Sequence, residues 1–285
     1  MARPQLRKSI LALKSWLFTP ATKSDRFAHA ADAHADALII DLEDAVAPSA
    51  KREARGTALR YLADISADHL LYALRINSPA TRFGLEDLQE LLESPAKPDY
   101  LILPKCDSSA IIGMVDNLLR EAKKSAQVIA LIESAKAIAA LDDIAGEAKP
   151  AALIFGAADM AADLGAETAW EPLLCVRSRI VQAAASAGIA ALDSPYFDIA
   201  DKEGLKKETK ASASLGFHGK CAIHPAQIAV INEVLSPSEE QVAKARQVLV
   251  VNRKGVGTVD GQMVDEAVAR KARLILERAG ITTEE

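Results

Sequence analysis

QVIALIES (127–134) and AALIFGAAD (151–159) decide the fold. Each is a short apolar run that leads into an acid, Glu133 in the first and Asp159 in the second. A strand that is apolar on both faces belongs to a parallel sheet buried on both sides. Working outward from this pair, runs of the same kind stand at 15–19 (SWLFT), 37–41 (ALIID), 70–76 (LLYALRI) and 100–103 (YLIL). Others stand at 188–192 (GIAAL) and 219–223 (GKCAI), which with 127–132 and 151–155 makes eight strands.

Helix-length segments separate them, at 23–35, 48–63, 84–93, 108–125, 134–145, 168–187, 201–215 and 225–235. Pro48 and Pro225 stand at the start of two of these, where a missing N–H costs nothing. Eight βα units in regular order predict a (β/α)8 TIM barrel over residues 1–235. A doubly wound open sheet is the alternative. It needs fewer strands and usually a glycine-rich phosphate turn after the first, where this chain has TPATKSDR (19–26). Residues 236–285 exceed what a barrel requires. Ser238 caps a helix over 238–253, KGVGTVDGQ (254–262) is a flexible link, and a last helix covers 264–279. The apolar faces of these two helices need a partner, and a neighbouring subunit is expected to supply it.

Half of the 285 residues are hydrophobic and 26% are charged, which suits a globular chain with a full core. A net charge of −5 and 4% aromatics argue against nucleic-acid binding. No apolar run approaches the roughly 18 residues of a membrane span. Cys106, Cys175 and Cys221 match no zinc spacing and no disulfide framework, so a reducing, cytoplasmic setting is expected. No acid precedes Asp25, whereas Arg3, Arg7, Lys8, Lys14 and Lys23 are basic. We read this as a basic arm or anion-binding edge, ahead of a targeting segment.

In a barrel of this kind chemistry gathers at the C-terminal ends of the strands. The tips carry Asp41, Glu43 and Asp44, then Arg75 and Asn77, then Pro104 and Lys105, then Glu133, Asp159, Asp193 and His224. Glu133 and Asp159 end adjacent strands, and two carboxylates without His or Cys suit Mg²⁺, with Mn²⁺ as the alternative ion. Solvated acids or helix caps are the competing explanation. Arg75 offers a bidentate fork for a substrate carboxylate, or else only neutralises Glu43 or Asp44. Asp41 reads as the last inward layer of its strand. Lys105 as a Schiff-base nucleophile is disfavoured, because an acid-rich rim does not drive its pKa down. His29 and His34 read as surface residues, and His224 either lines the site or only bonds its loop.

The chain resembles the citrate lyase β-subunit-like family of the HpcH/HpaI aldolase superfamily. The resemblance rests on KSWLFTPATKSDRF (14–27), ADALIIDLEDAVAPSAKREAR (35–55), LRINSP (74–79) and LILPK (101–105). It continues through LIESAKAI (131–138), FGAADMAADLG (155–165), LDSPYFDIAD (192–201), GFHGKCAIHPAQI (216–228) and GQMVDEAVARKA (261–272). It implies a Mg²⁺-dependent lyase that cleaves a β-hydroxyacyl-CoA (citramalyl-, malyl- or citryl-CoA) to acetyl-CoA and a keto acid, assembled as a homotrimer or a dimer of trimers. On the matching positions, Glu133 and Asp159 would hold the metal, Arg75 the keto-acid carboxylate, and Glu43 and Asp44 the metal's waters. Pro104 and Lys105 would border the substrate. Asp265, on the terminal segment of a neighbouring subunit, would protonate the acetyl-CoA enolate. Lys14 and Lys23, on the basic edge, are expected to meet the CoA phosphates. Two other classes stay open: a β subunit acting on a carrier-protein thioester, and a CoA-independent aldolase for hydroxy keto acids.

Overall fold

The computed structural model describes residues 9–65, 70–255 and 257–281; Arg3, Arg7, Lys8 and His69 lie outside them. Eight strands close into one barrel in chain order. They are β1 (Ser15–Pro20), β2 (Ala37–Asp41), β3 (Leu71–Arg75), β4 (Tyr100–Leu103), β5 (Gln127–Ile132), β6 (Ala152–Phe155), β7 (Ala190–Asp193) and β8 (Gly219–Ala222). Every neighbouring pair is parallel, and β8 closes on β1 with Cys221 opposite Trp16. This is the (β/α)8 barrel that the alternation predicts.

The helices are α1 (Ala28–Asp32), α2 (Lys51–Asp64), α3 (Arg82–Glu93), α4 (Ser109–Glu121), α5 (Ala135–Ala139) and α6 (Leu141–Gly146). They continue with α7 (Ala157–Leu164), α8 (Trp170–Ala187), α9 (Lys202–Leu215), α10 (Ile228–Leu235), α11 (Glu239–Arg253) and α12 (Glu266–Arg278). The segment expected as one helix over 23–35 is a 3₁₀ turn followed by the five-residue α1, and that expected over 134–145 divides into α5 and α6. Helix α7 was not anticipated, and it places Asp159 in its first turn. The expected flexible link holds a hairpin, β9 (Gly257–Val259) and β10 (Gln262–Val264). Its turn is Asp260-Gly261, with φ of 50° and 76°. Asp-Gly is the pair that such a two-residue hairpin turn demands, so this signal was present in the sequence.

Strand parity sorts the core into two layers. Trp16, Ile39, Ala73, Ile102, Ile129 and Ile154 fill the barrel interior, while Leu17, Leu38, Leu74, Leu101, Ala130 and Leu153 face the helices. A strand's side chains alternate with period two. The inward series therefore continues upward to Phe18, Asp41, Arg75, Leu131, Glu133 and Gly156, at the C-terminal mouth. Parity, together with the adjacency of the strands, gathers these residues at one place.

The terminal unit has a core of its own, in which Ala245 and Val248 of α11 meet Val259, Val264, Ala272 and Leu276. Helix α12 also rests on the 3₁₀ turn Ile10–Ala12 below β1, and Arg278 NH2 donates to the Phe217 carbonyl at 3.1 Å. These contacts dock the unit on the N-terminal end of the barrel. Among the described residues no helix is long and apolar enough to cross a membrane.

At that end His218 is largely buried. Its Nδ1 accepts the Ala191 N–H at 3.2 Å, which requires an unprotonated Nδ1. Burial first, and then the charge of Arg278, lower its pKa from 6.5 to about 4. The folded state thus resists a proton that the unfolded chain accepts. Stability is full above about pH 6.5 and declines as the pH falls toward 4, by up to about 3 kcal/mol for the whole window. We expect the urea midpoint to fall over that range in the native chain and to fall less in His218→Gln. Equal slopes in the two proteins would remove His218 as the cause.

Candidate active site

A cavity of about 400 Å³ opens at the C-terminal mouth, and Asp41, Asp44, Arg75, Glu133 and Asp159 are among the residues that line it. The expected convergence of strand tips is therefore present for these five. Arg75, at the end of β3, is 9% exposed. Its Nε and NH2 both donate to Asp41, to Oδ1 and Oδ2, each at 2.7 Å. NH1 stands 3.0 Å from Glu43 Oε2 and 3.7 Å from Asp44, and the guanidinium lies over the Phe18 ring at 4.9 Å. Burial would lower the Arg75 pKa, but Asp41, Glu43 and Asp44 outweigh it and raise it.

Asp41 is thus more than an inward layer. Its two oxygens hold Arg75 and also accept the N–H groups of Glu43 and Ala45. One carboxylate fixes the guanidinium plane and the start of the loop after β2. Lys51 secures the same loop from below, donating to the Leu42 and Glu43 carbonyls at 2.8 and 2.7 Å and to Asn77 Oδ1 at 2.6 Å. Neither role was legible in the sequence, because both depend on partners that only folding brings near. Lysine in place of Arg75 cannot fork onto Asp41. Arg75→Lys is expected to lower both the melting temperature and kcat/KM, the latter by roughly 10–100-fold, the worth of a lost charge-assisted bond. Near-native kinetics would show that the fork is dispensable.

Glu133 is 3% exposed, and burial, opposed by Lys105, raises its pKa to about 7. The Lys105 N–H donates to its Oε1 at 2.8 Å. The Lys105 ammonium stands 2.5 Å from Asp159 Oδ1 and 3.5 Å from Glu133 Oε1. Lys105 itself adopts φ of 53°, a left-handed conformation that turns the chain so that both its N–H and its ammonium reach these acids. Burial lowers the Lys105 pKa, and Asp159 with the nearby glutamates more than restores it, to about 12. The acids around Lys105 hold it protonated, which disfavours a Schiff-base role.

Gly156 was not singled out by sequence. A Cβ there would sit 2.5 Å from Glu133 Cβ and 2.8 Å from its Oε2. The glycine is the gap into which the Glu133 carboxylate fits.

Glu43 is buried, and burial pushes its pKa up to about 8. Its Oε2 has no hydrogen-bond donor, the Arg75 contact being one of charge without hydrogen-bond alignment. Asp44 is exposed. Pro104 is buried and is not among the cavity's lining residues. Lys105 lines an adjoining cleft with Glu43, Asp44 and Lys51. Lys23 follows β1 at the cavity end of the barrel and is exposed.

Lys14 is a correction to the expected basic landing edge. It precedes β1 at the opposite end of the barrel, where its ammonium bonds Ser236 Oγ at 2.8 Å. A six-residue strand lies between it and the mouth of its own chain. Asp265 lies outside its own chain's cavity too. It caps α12, its Oδ1 accepting the Val268 N–H at 2.9 Å. His224 likewise only caps its turn, through the Ala226 N–H.

The family model for HpcH/HpaI aldolase/citrate lyase matches residues 14–225. The chain belongs to the HpcH/HpaI aldolase/citrate lyase family. Within this family it is 37% identical to a citrate lyase subunit beta-like protein of Mycobacterium tuberculosis, over 95% of this chain and 97% of the relative. It is 33% identical to an L-malyl-CoA/beta-methylmalyl-CoA lyase of Rhodobacter capsulatus, over 92% of this chain and 93% of that enzyme. The crystal structure of CitE from Mycobacterium tuberculosis in complex with magnesium, acetoacetate and coenzyme A superposes with a TM-score of 0.77. It is 36% identical, with 95% of this chain and all of that one covered. Like these members of the HpcH/HpaI family, the chain is a carbon–carbon lyase.

Proposed function

We propose that the chain is a Mg²⁺-dependent acyl-CoA lyase, with Mn²⁺ as the alternative ion. It would cleave a β-hydroxyacyl-CoA of the malyl, citramalyl or citryl type to acetyl-CoA and a keto acid. The observation that carries this is the pairing of Glu133 and Asp159 about one point of a cavity that Arg75 also lines. The relatives named for malyl-CoA and crystallised with magnesium and coenzyme A support it.

The residues fit a divalent ion. Glu133 and Asp159 are hard oxygen donors, the Glu43 oxygen behind them lacks a hydrogen bond, and a protonated lysine already sits against the pair. Burial raises the pKa of Glu43 and of Glu133, and a cation bound beside them would offset that desolvation. Among the described residues no group of three or more His, Cys, Asp or Glu forms a closed cage. An open oxygen site of two protein carboxylates is the habit of Mg²⁺, which takes its remaining ligands from water and substrate.

When bound, the ion stabilises negative charge developing on the substrate oxygen that becomes the keto group. Arg75, held flat by Asp41, presents its NH1 edge to the carboxylate of the keto-acid half. Glu43 and Asp44 orient water on the far side of the acid pair. Phe18, Leu131 and Ile154 keep water from the breaking bond. As the carbon–carbon bond breaks, the hydroxyl proton passes to water held by Glu43 and Asp44. The electron pair of the bond becomes the acetyl-CoA enolate, which must then take a proton at carbon. Asp265 does not enter the cavity of its own chain, so a second copy would deliver it, in a homotrimer. Met263, 63% exposed, and Val268, 36% exposed, supply apolar surface for that contact.

The test is turnover of free citramalyl-, malyl- and citryl-CoA by the purified chain, with Mg²⁺ and with EDTA. Full activity in EDTA would sink the metal. A requirement for a carrier protein would favour the citrate lyase β-subunit reading, and cleavage of free hydroxy keto acids alone would favour the aldolase. Asp265→Ala is expected to lower turnover by roughly 10²–10⁴, the range of a positioned acid. Mixing Asp265→Ala with Glu133→Gln chains should restore activity if the acid crosses between copies. Proven subunit exchange without recovery would confine Asp265 to its own chain or to no role.

A further inference from the structure

The floor of the cavity differs sharply from its rim. Leu131 and Ile154 are register partners on β5 and β6, two residues below Glu133 and Gly156. With Phe18 and Ile223 they make that floor apolar. The rim carries four carboxylates, Asp41, Asp44, Glu133 and Asp159, and Glu43 lies directly behind. Arg75 is the cation among the lining residues, and Lys105, which reaches the rim from beside it, is taken up by Asp159 and Glu133. Two of the three Arg75 nitrogens are committed to Asp41, and the third, NH1, already stands 3.0 Å from Glu43 without a hydrogen bond to it. The positive charge left for a substrate is one guanidinium edge and the ion held by the acid pair, enough for one carboxylate beside the reacting carbon. A second substrate carboxylate would meet hydrocarbon below and like charge around the rim, except at the first turn of α7, where Ala157 and Ala158 line the cavity.

Resting on the acyl-CoA lyase reading, we infer that the subsite at the hydroxyl-bearing carbon takes hydrogen or methyl and rejects carboxymethyl, and that Leu131 and Ile154 set this limit. A methyl placed on the floor gains apolar contact. A carboxymethyl loses its hydration there without gaining a donor, which is the costlier mismatch for a pocket. The preferred substrates are therefore the malyl and citramalyl thioesters, and citryl-CoA is the poor one.

The experiment runs the reaction in the condensing direction, with acetyl-CoA, Mg²⁺ and glyoxylate, pyruvate, 2-oxobutyrate or oxaloacetate, and measures binding of each keto acid by calorimetry. We expect kcat/KM for oxaloacetate to lie roughly 10²-fold or more below that for pyruvate, as unpaired polar groups in a pocket dictate. Ile154→Ala should raise the ratio of 2-oxobutyrate to pyruvate use by about tenfold or more, the worth of one methylene in an apolar pocket. Ile154→Val, a smaller step that spares the core, should move the ratio the same way. A merely structural role would lower all keto acids together and leave the ratio in place. Oxaloacetate used as well as pyruvate overturns the inference, as does an unchanged ratio in both variants. Condensation with none of the four overturns the lyase reading itself. In that event weaker Mg²⁺-dependent binding of oxaloacetate than of pyruvate would still support the limit, and equal binding would overturn it.

Discussion

Glu133→Gln is expected to reduce kcat/KM by roughly 10³-fold or more, because several kcal/mol of charge stabilisation depend on the ion that this carboxylate would hold. The side chain is almost wholly buried and keeps its bulk on substitution, so the barrel should persist. Glutamine can still accept the Lys105 N–H through its carbonyl oxygen, which now binds Glu133 at 2.8 Å. The removal of a buried acid with a raised pKa carries little cost in folding. The check is threefold: turnover with Mg²⁺, Mg²⁺ affinity by calorimetry, and the thermal unfolding midpoint. Retained turnover with intact Mg²⁺ binding would place the metal elsewhere. Loss of turnover together with a collapsed unfolding midpoint would make Glu133 a structural residue.

Gly156→Ala is the second large effect, and it adds a single methyl group. Glycine's φ here is −96°, which alanine adopts freely, so no backbone strain arises. The obstacle is the Glu133 side chain, whose Cβ and Oε2 would both lie under 3.0 Å from the new carbon. Because the nearer atom is Cβ, the glutamate cannot yield by rotating its tip and must shift bodily. A displacement of about 1 Å at a reacting centre costs roughly 10²-fold in rate. We expect that loss in kcat, with weakened Mg²⁺ binding and a folded barrel by circular dichroism. Unaltered kcat would mean that the Glu133 carboxylate has room the geometry does not reveal.

Much of this protein is written in its residue pattern. Eight doubly apolar runs that alternate with helices can bury themselves in few ways, and the closed parallel barrel is the one found. Because strand side chains alternate with period two, Arg75 and Glu133 were legible at the mouth from spacing, whereas Asp159 owes its position to the first turn of α7. Even the β9–β10 hairpin had its signal in Asp260-Gly261, although the surrounding glycines obscured it as a link. Local rules carried these features, since strand period, turn chemistry and capping act within a few residues.

What only the tertiary structure decided are relations across the chain. Asp41 and Arg75 are 34 residues apart, and the fork between them exists because β2 and β3 pair in one register. Gly156 makes room for Glu133 because β5 and β6 are neighbours, and no property of either residue announces it. Lys14 looked fit for an anion until the fold put it at the far end of β1 from its own cavity. A sequence specifies which groups are available and in what period. Distance, desolvation and the direction of a guanidinium plane depend on partners that meet only when the barrel closes, and the electrostatics of the site arise from those partners.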